Sequence, residues 1–159
     1  MTVAMHRRAF LAGLAAAPLA AFTPARAQSL PEVVVWKDPD CGCCGAWVDH
    51  MRAAGFSLTV NETSDMGPVK QRLGVPQMLG SCHTATVDGY VLEGHVPAEA
   101  VKRLLAERPQ AHGLSVPGMP IGSPGMEVPG VADEEYDVVL FGESRLERFS
   151  RYRGGARIG

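Results

Sequence analysis

The first strongly patterned stretch of the chain is Glu32-Val33-Val34-Val35-Trp36, an apolar, β-branched run that reads as a buried strand. Lys37-Asp38-Pro39-Asp40 breaks it, and Asp40 is placed to cap a helix that starts near Cys43. Trp47, Val48 and Met51 give that helix an apolar face, and Gly55 stops it. Ser57 to Asn61 reads as a second strand. Ser64 or Asp65 then opens a short helix through Val69 and Leu73, closed by Gly74. Two four-residue runs, Thr84 to Val87 and Tyr90 to Glu93, flank Asp88-Gly89, the strongest hairpin signal in the chain. Pro97 begins a helix whose buried stripe is Ala100, Val101, Leu104 and Leu105.

The order is strand, helix, strand, helix, hairpin, helix. It predicts an α/β fold of thioredoxin-like order, a central mixed sheet flanked by helices, with a cysteine motif where the first strand meets the first helix. Residues 109–130 carry five prolines and five glycines in 22 positions and read as a long loop that includes Met119 and Met126. Tyr136 to Phe141 reads as an added late strand. Arg145, Arg148, Arg151 and Arg153 beyond it read as a basic, solvated C-terminal tail over 143–159.

The first 27 residues have a different character. His6-Arg7-Arg8-Ala9-Phe10-Leu11 precedes an apolar run interrupted by Pro18 and ending at Ala25-Arg26-Ala27. That is the layout of a cleaved export signal, twin-arginine-like at its start, and it is too short for a membrane anchor. The expected organisation is therefore an export signal at 1–27, a metal-binding domain at 28–142 and the tail, with the product in the periplasm. Removing 1–27 takes away Arg7, Arg8 and Arg26 and no acid, so 15 bases become 12 against 17 acids, a formal charge of −5. No basic stripe remains, which argues against a nucleic-acid partner. With 46% hydrophobic and 20% charged residues, the chain has the composition of one compact domain rather than of a disordered segment.

Composition matters most through the four cysteines, Cys41, Cys43, Cys44 and Cys82. An even number in an exported protein ordinarily suggests disulfides. Here three sulfurs lie within four residues, two of them adjacent, which is a poor staple and a good ligand set. At a helix start, free N–H groups and the positive end of the helix dipole favour thiolate, which is both nucleophile and metal ligand. Cys41 and Cys44 form a C-x-x-C pair suited to thiol–disulfide chemistry, but Cys43 inside it would compete in exchange. Cys82 falls in the loop that enters the strand before the hairpin, which thioredoxin-like folds pack against the motif. Pro76 competes for the cis-proline position usual in that loop.

Four sulfurs with few carboxylates select Cu(I), zinc or iron–sulfur. A closed zinc site prefers two separated C-x-x-C knuckles, whereas three ligands in one turn favour sulfurs that bridge several Cu(I) ions. His83 and Met119 are candidate additional ligands, Met126 a weaker one. His50 reads as a packing or surface residue, and His95 and His112 carry no assignment.

Several segments taken together resemble the CopG-like family of periplasmic copper-resistance proteins, catalogued as a domain of unknown function. They are Trp36-Lys37-Asp38-Pro39-Asp40-Cys41-Gly42-Cys43-Cys44, Ser81-Cys82-His83-Thr84-Ala85, Gly94-His95-Val96-Pro97-Ala98 and the run from Val116 to Met126. The resemblance spans about Val33 to Phe141. It implies a thioredoxin-like fold, copper bound through Cys41, Cys43, Cys44 and Cys82, and a role in copper tolerance, and leaves open whether copper is stored, passed on or changed in oxidation state. The four-sulfur site on an exported chain leads to the expectation of a Cu(I) protein that buffers copper or delivers it to another periplasmic copper-handling protein. An oxidoreductase using Cys41 and Cys44 is the competing expectation, and a structural zinc module the third.

Overall fold

In the computed structural model, residues 29–159 are described; the expected export signal at 1–27 lies outside them. β1 (Val33–Lys37) buries Val33, Val35 and Lys37 on one face, as the β-branched run demands. The chain then enters α1 (Gly42–Ala53), whose Trp47, Val48 and Met51 are buried, and returns through β2 (Leu58–Glu62), parallel to β1. Helix α2 (Gly67–Arg72) and a single 3-10 turn (Gln77–Leu79) lead to β3 (Thr84–Val87) and β4 (Tyr90–Glu93). Asp88 and Gly89 take φ of 46° and 86° between them, the paired positive angles of a tight hairpin turn.

β3 lies antiparallel to β1, and helix α3 (Ala98–Glu107) follows β4. This is the thioredoxin-like α/β arrangement that the element order predicted. The core on this half joins Val33, Val35, Ala85 and Leu92 of the sheet to Trp47 and Met51 of α1 and Val101 and Leu104 of α3.

The sheet continues further than the sequence suggested. β5 (Gly113–Ser115), inside the supposed irregular loop, pairs parallel to β4 and antiparallel to β6 (Glu135–Gly142). The expected C-terminal tail is instead β7 (Arg145–Arg153) and β8 (Ala156–Arg157), completing one eight-stranded sheet in the order β2-β1-β3-β4-β5-β6-β7-β8. Strand pairing brings Arg151 and Arg153 opposite acidic residues of β6, while both stay solvent-accessible. Arg151 makes a two-pronged contact with Asp137 (2.6 and 3.0 Å), Arg153 pairs with Glu135, and Tyr152 is buried and stacked on Tyr136. Asp40 is not the cap of α1. Cys41 occupies that position without a side-chain cap, and Asp38 accepts the Asp40 N–H at 2.8 Å to shape the turn.

Candidate metal centre

The start of α1 carries Cys41 at the N-cap and Cys43 and Cys44 in the first turn, because β1 ends at Lys37 and a tight turn, closed by the Cys41 N–H donating to the Asp38 carbonyl at 3.1 Å, leads straight into the helix. The Lys37 ammonium donates to the Asp38 carbonyl at 2.8 Å and holds that turn. No acidic side chain occupies the first turn of α1, so the positive end of its dipole is not offset there by a carboxylate of its own. Cys82 arrives from the segment between the 3-10 turn and β3. The Sγ atoms of Cys41, Cys43, Cys44 and Cys82 all lie within 4.8 Å of one another.

One feature departs from four free thiolates: Cys41 and Cys44 are joined in a disulfide. Their positions one helical turn apart bring the Cα atoms to 5.4 Å, inside the range a disulfide needs. The adjacent pair Cys43 and Cys44 is not bridged. Cys43 is free, with Sγ 3.5 Å from that of Cys41, and Cys82 is free. No peptide bond among the described residues is cis, so Pro76 is trans and the segment beside the motif is Ser81-Cys82-His83 itself.

Two histidines complete the picture. His83 Nδ1 lies 3.3 Å and His95 Nε2 3.1 Å from Cys82 Sγ, forming a second donor group that shares this sulfur. Both rings are fully buried. Burial holds the His83 imidazole well below its usual pKa, with His95 and Lys70 adding to the effect, and burial also lowers His95. Both are therefore neutral, with lone pairs free of proton competition. Burial and the neighbouring Cys43 push the Cys82 thiol up to about 11, so binding a metal there displaces a proton. His83 Nε2 has no hydrogen-bond partner among the described residues. The sulfur and imidazole donors fit a soft or borderline metal.

His95, one of the two histidines without an assignment from sequence, is the one that reaches the centre. It lies in the Gly94–Ala98 segment of the resemblance, after Gly94, which takes a φ of 72° where the chain leaves β4. His95 Nδ1 meets the Pro124 carbonyl at 2.8 Å, fixing the ring so that Nε2 faces Cys82. His50 packs as expected: its Nε2 accepts the Ala98 N–H at 3.0 Å at the start of α3. His112 lies elsewhere, bonded to the Leu73 carbonyl.

The Pro/Gly-rich segment folds over the centre. Gly118 N–H donates to the Gly80 carbonyl at 3.2 Å, and Ser81 Oγ donates to the Gly118 carbonyl. Gly125 lies against α1 so closely that a Cβ on it would come within 2.6 Å of the Cys43 carbonyl oxygen and 2.8 Å of the Trp47 nitrogen, at a φ of +89°. Gly125→Ala is therefore expected to lift this segment off α1 and cost about 1–3 kcal/mol from backbone strain alone. A lower denaturation midpoint together with faster alkylation of Cys43 would record it. Met119 is 53% exposed and Met126 half-buried.

A cysteine cluster at the strand-to-helix junction, closed by a loop cysteine and two buried imidazoles, defines a thioredoxin-like α/β protein with a soft-metal donor set. Residues 79–126 match the family described as protein of unknown function, DUF411. Two solved structures, named copper resistance protein CopG form 2 and form 1, are similar to the chain at 44% identity and a TM-score of 0.72. The first similarity covers 77% of this chain and 98% of the other, the second 79% and 99%. The chain belongs to the CopG-like family. No match is found among curated proteins.

Proposed function

We propose that this protein is a periplasmic copper-binding protein that holds Cu(I) through Cys41, Cys43, Cys44 and Cys82, with several ions bridged by sulfur, and that it serves copper tolerance by buffering or delivering the metal. The observation that carries the reading is the gathering of four sulfurs within 4.8 Å at the start of α1. The names of the similar structures support copper over zinc. So does the chemistry: closely packed thiolates bridge Cu(I) readily, and neutral imidazoles beside Cys82 can complete its coordination. Binding through all four sulfurs requires an external dithiol to reduce the Cys41–Cys44 bond, becoming a disulfide itself, and the two thiols formed then release their protons as they ligate the metal. With that bond closed, Cys43, Cys82, His83 and His95 remain as donors.

Export to the periplasm rests on the signal-like residues 1–27. Among the described residues no helix is long and apolar enough to cross a membrane.

The disulfide itself favours a second reading, a thiol–disulfide or copper oxidoreductase that uses Cys41 and Cys44. One experiment separates the two. Protein purified from the periplasm of copper-fed cells is analysed for metals by mass spectrometry, and its thiols are counted after copper removal. More than one copper per chain with four recoverable thiols is expected. A copper-free chain with the disulfide intact, active in disulfide exchange, would move the function to oxidoreductase.

A further inference from the structure

Glu93 ends β4 in a fully buried position, an unusual place for a carboxylate. Its Oε1 accepts the Ser81 N–H at 2.6 Å and the Lys70 ammonium at 2.5 Å, and its Oε2 accepts the Thr84 hydroxyl at 2.6 Å. Lys70 also reaches Thr84 Oγ1 at 3.0 Å, so helix α2 joins the same cluster. The two oxygens of one carboxylate thus hold both ends of the four-residue segment Ser81–Thr84. The two residues between the held ends are Cys82 and His83. On the other side Glu93 is followed by Gly94 and His95. Gly94 approaches the same segment so closely that a Cβ on it would lie 2.5 Å from Ser81 Oγ.

A buried ion pair contributes little net stability compared with apolar side chains of the same volume, because desolvation offsets the attraction. Stability alone is thus a weak reason for Glu93 and Lys70. What a carboxylate supplies, and an apolar residue cannot, is two acceptors at a fixed separation.

We propose that Glu93 is the positioning residue of the centre. It clamps Ser81 and Thr84 so that Cys82 Sγ is presented to the α1 cysteines and to His95, with Lys70 tying helix α2 to the same carboxylate oxygen. The inference rests on the copper-thiolate reading for its consequence in metal affinity, but not for its geometry.

Glu93→Gln keeps the shape and one carbonyl acceptor, loses the second acceptor, and strands Lys70. Thr84→Val releases one end of the segment with nearly unchanged volume and serves if the Glu93 variant does not fold. Leu140→Ala, a core truncation in β6 outside the centre, is the control for general loss of stability. Two readouts are taken on full-length mature protein. In the reduced, metal-free form, the alkylation rate of Cys82 is followed by peptide mass spectrometry. Cu(I) affinity is then measured by competition with a chromogenic chelator.

Glu93→Gln and Thr84→Val are expected to speed Cys82 alkylation several-fold and to weaken Cu(I) binding by about 10–100-fold, the usual effect of removing a support behind a metal ligand. Leu140→Ala should lower the melting temperature and leave both readouts near wild type. Wild-type alkylation rates in both variants, or the same rise in Leu140→Ala, would overturn the positioning role. A wild-type protein that binds no Cu(I) while the alkylation difference persists would sink the copper reading and leave the clamp standing.

Discussion

Cys82→Ser is expected to remove at least half of the copper bound per chain and to abolish tight binding of what remains. Cys82 is the one cysteine outside the α1 turn, and its Sγ belongs both to the four-sulfur group and to the group with His83 and His95. Its loss therefore breaks both donor sets at once, whereas removing Cys41 would leave Cys82, His83 and His95 in place. Serine is close in size, and its hydroxyl can keep hydrogen-bond contact with the imidazoles, so the fold should survive and the effect should be confined to metal. Elemental analysis and Cu(I) competition against wild type are the measurements. Copper content equal to wild type would exclude the four-sulfur centre and leave the metal, if any, to α1 alone.

Trp47→Ala is expected to produce the largest loss of stability among single substitutions near the centre. The indole is fully buried in the main core, and its Nε1 donates to the Val96 carbonyl at 2.9 Å. Its ring centroid lies 4.5 Å from that of His83. Truncating a buried aromatic of this size costs about 3–5 kcal/mol, and Val96 would lose a buried hydrogen-bond donor as well. The floor beneath His83 would also open, so His83 and Cys82 should become more accessible. Chemical denaturation would show the drop in midpoint, and alkylation of Cys82 would show the loosened centre. Trp47→Phe should recover much of the packing but not the bond to Val96. A truncation that leaves the denaturation midpoint unchanged would contradict the assigned core.

These two residues also show how far local pattern carries. Trp47 was legible as a core residue because it lies with Val48 and Met51 on one helical face, which needs only the helical period. The hairpin was legible because Asp88 and Gly89 tolerate the positive φ its turn requires. The cysteine motif could be placed at a strand-to-helix junction because Asp38-Pro39 ends one element and the next begins at once.

Strand β5 left no such mark. Its three residues sit among prolines and glycines, and it exists because β4 on one side and β6 on the other supply partners. Gly113 is required there by contact and not by local conformation: a Cβ would fall 1.8 Å from the Val91 carbonyl oxygen. The arginine-rich end misled for a related reason. The same charges that mark a solvated tail make cross-strand pairs once Glu135 and Asp137 lie opposite.

The linear order of residues was enough to establish the α/β order and the clustering of three cysteines in one turn, since each depends on near neighbours and on periodicities the backbone imposes. Only the folded chain could decide that Cys41 and Cys44 close on each other while Cys43 stays free. It also decided that His95 reaches Cys82 and that Glu93 holds the segment carrying it. The contacts of His95 and Glu93 join residues on different elements, and their distances follow from how β3, β4 and the 116–126 segment pack, which no local pattern encodes.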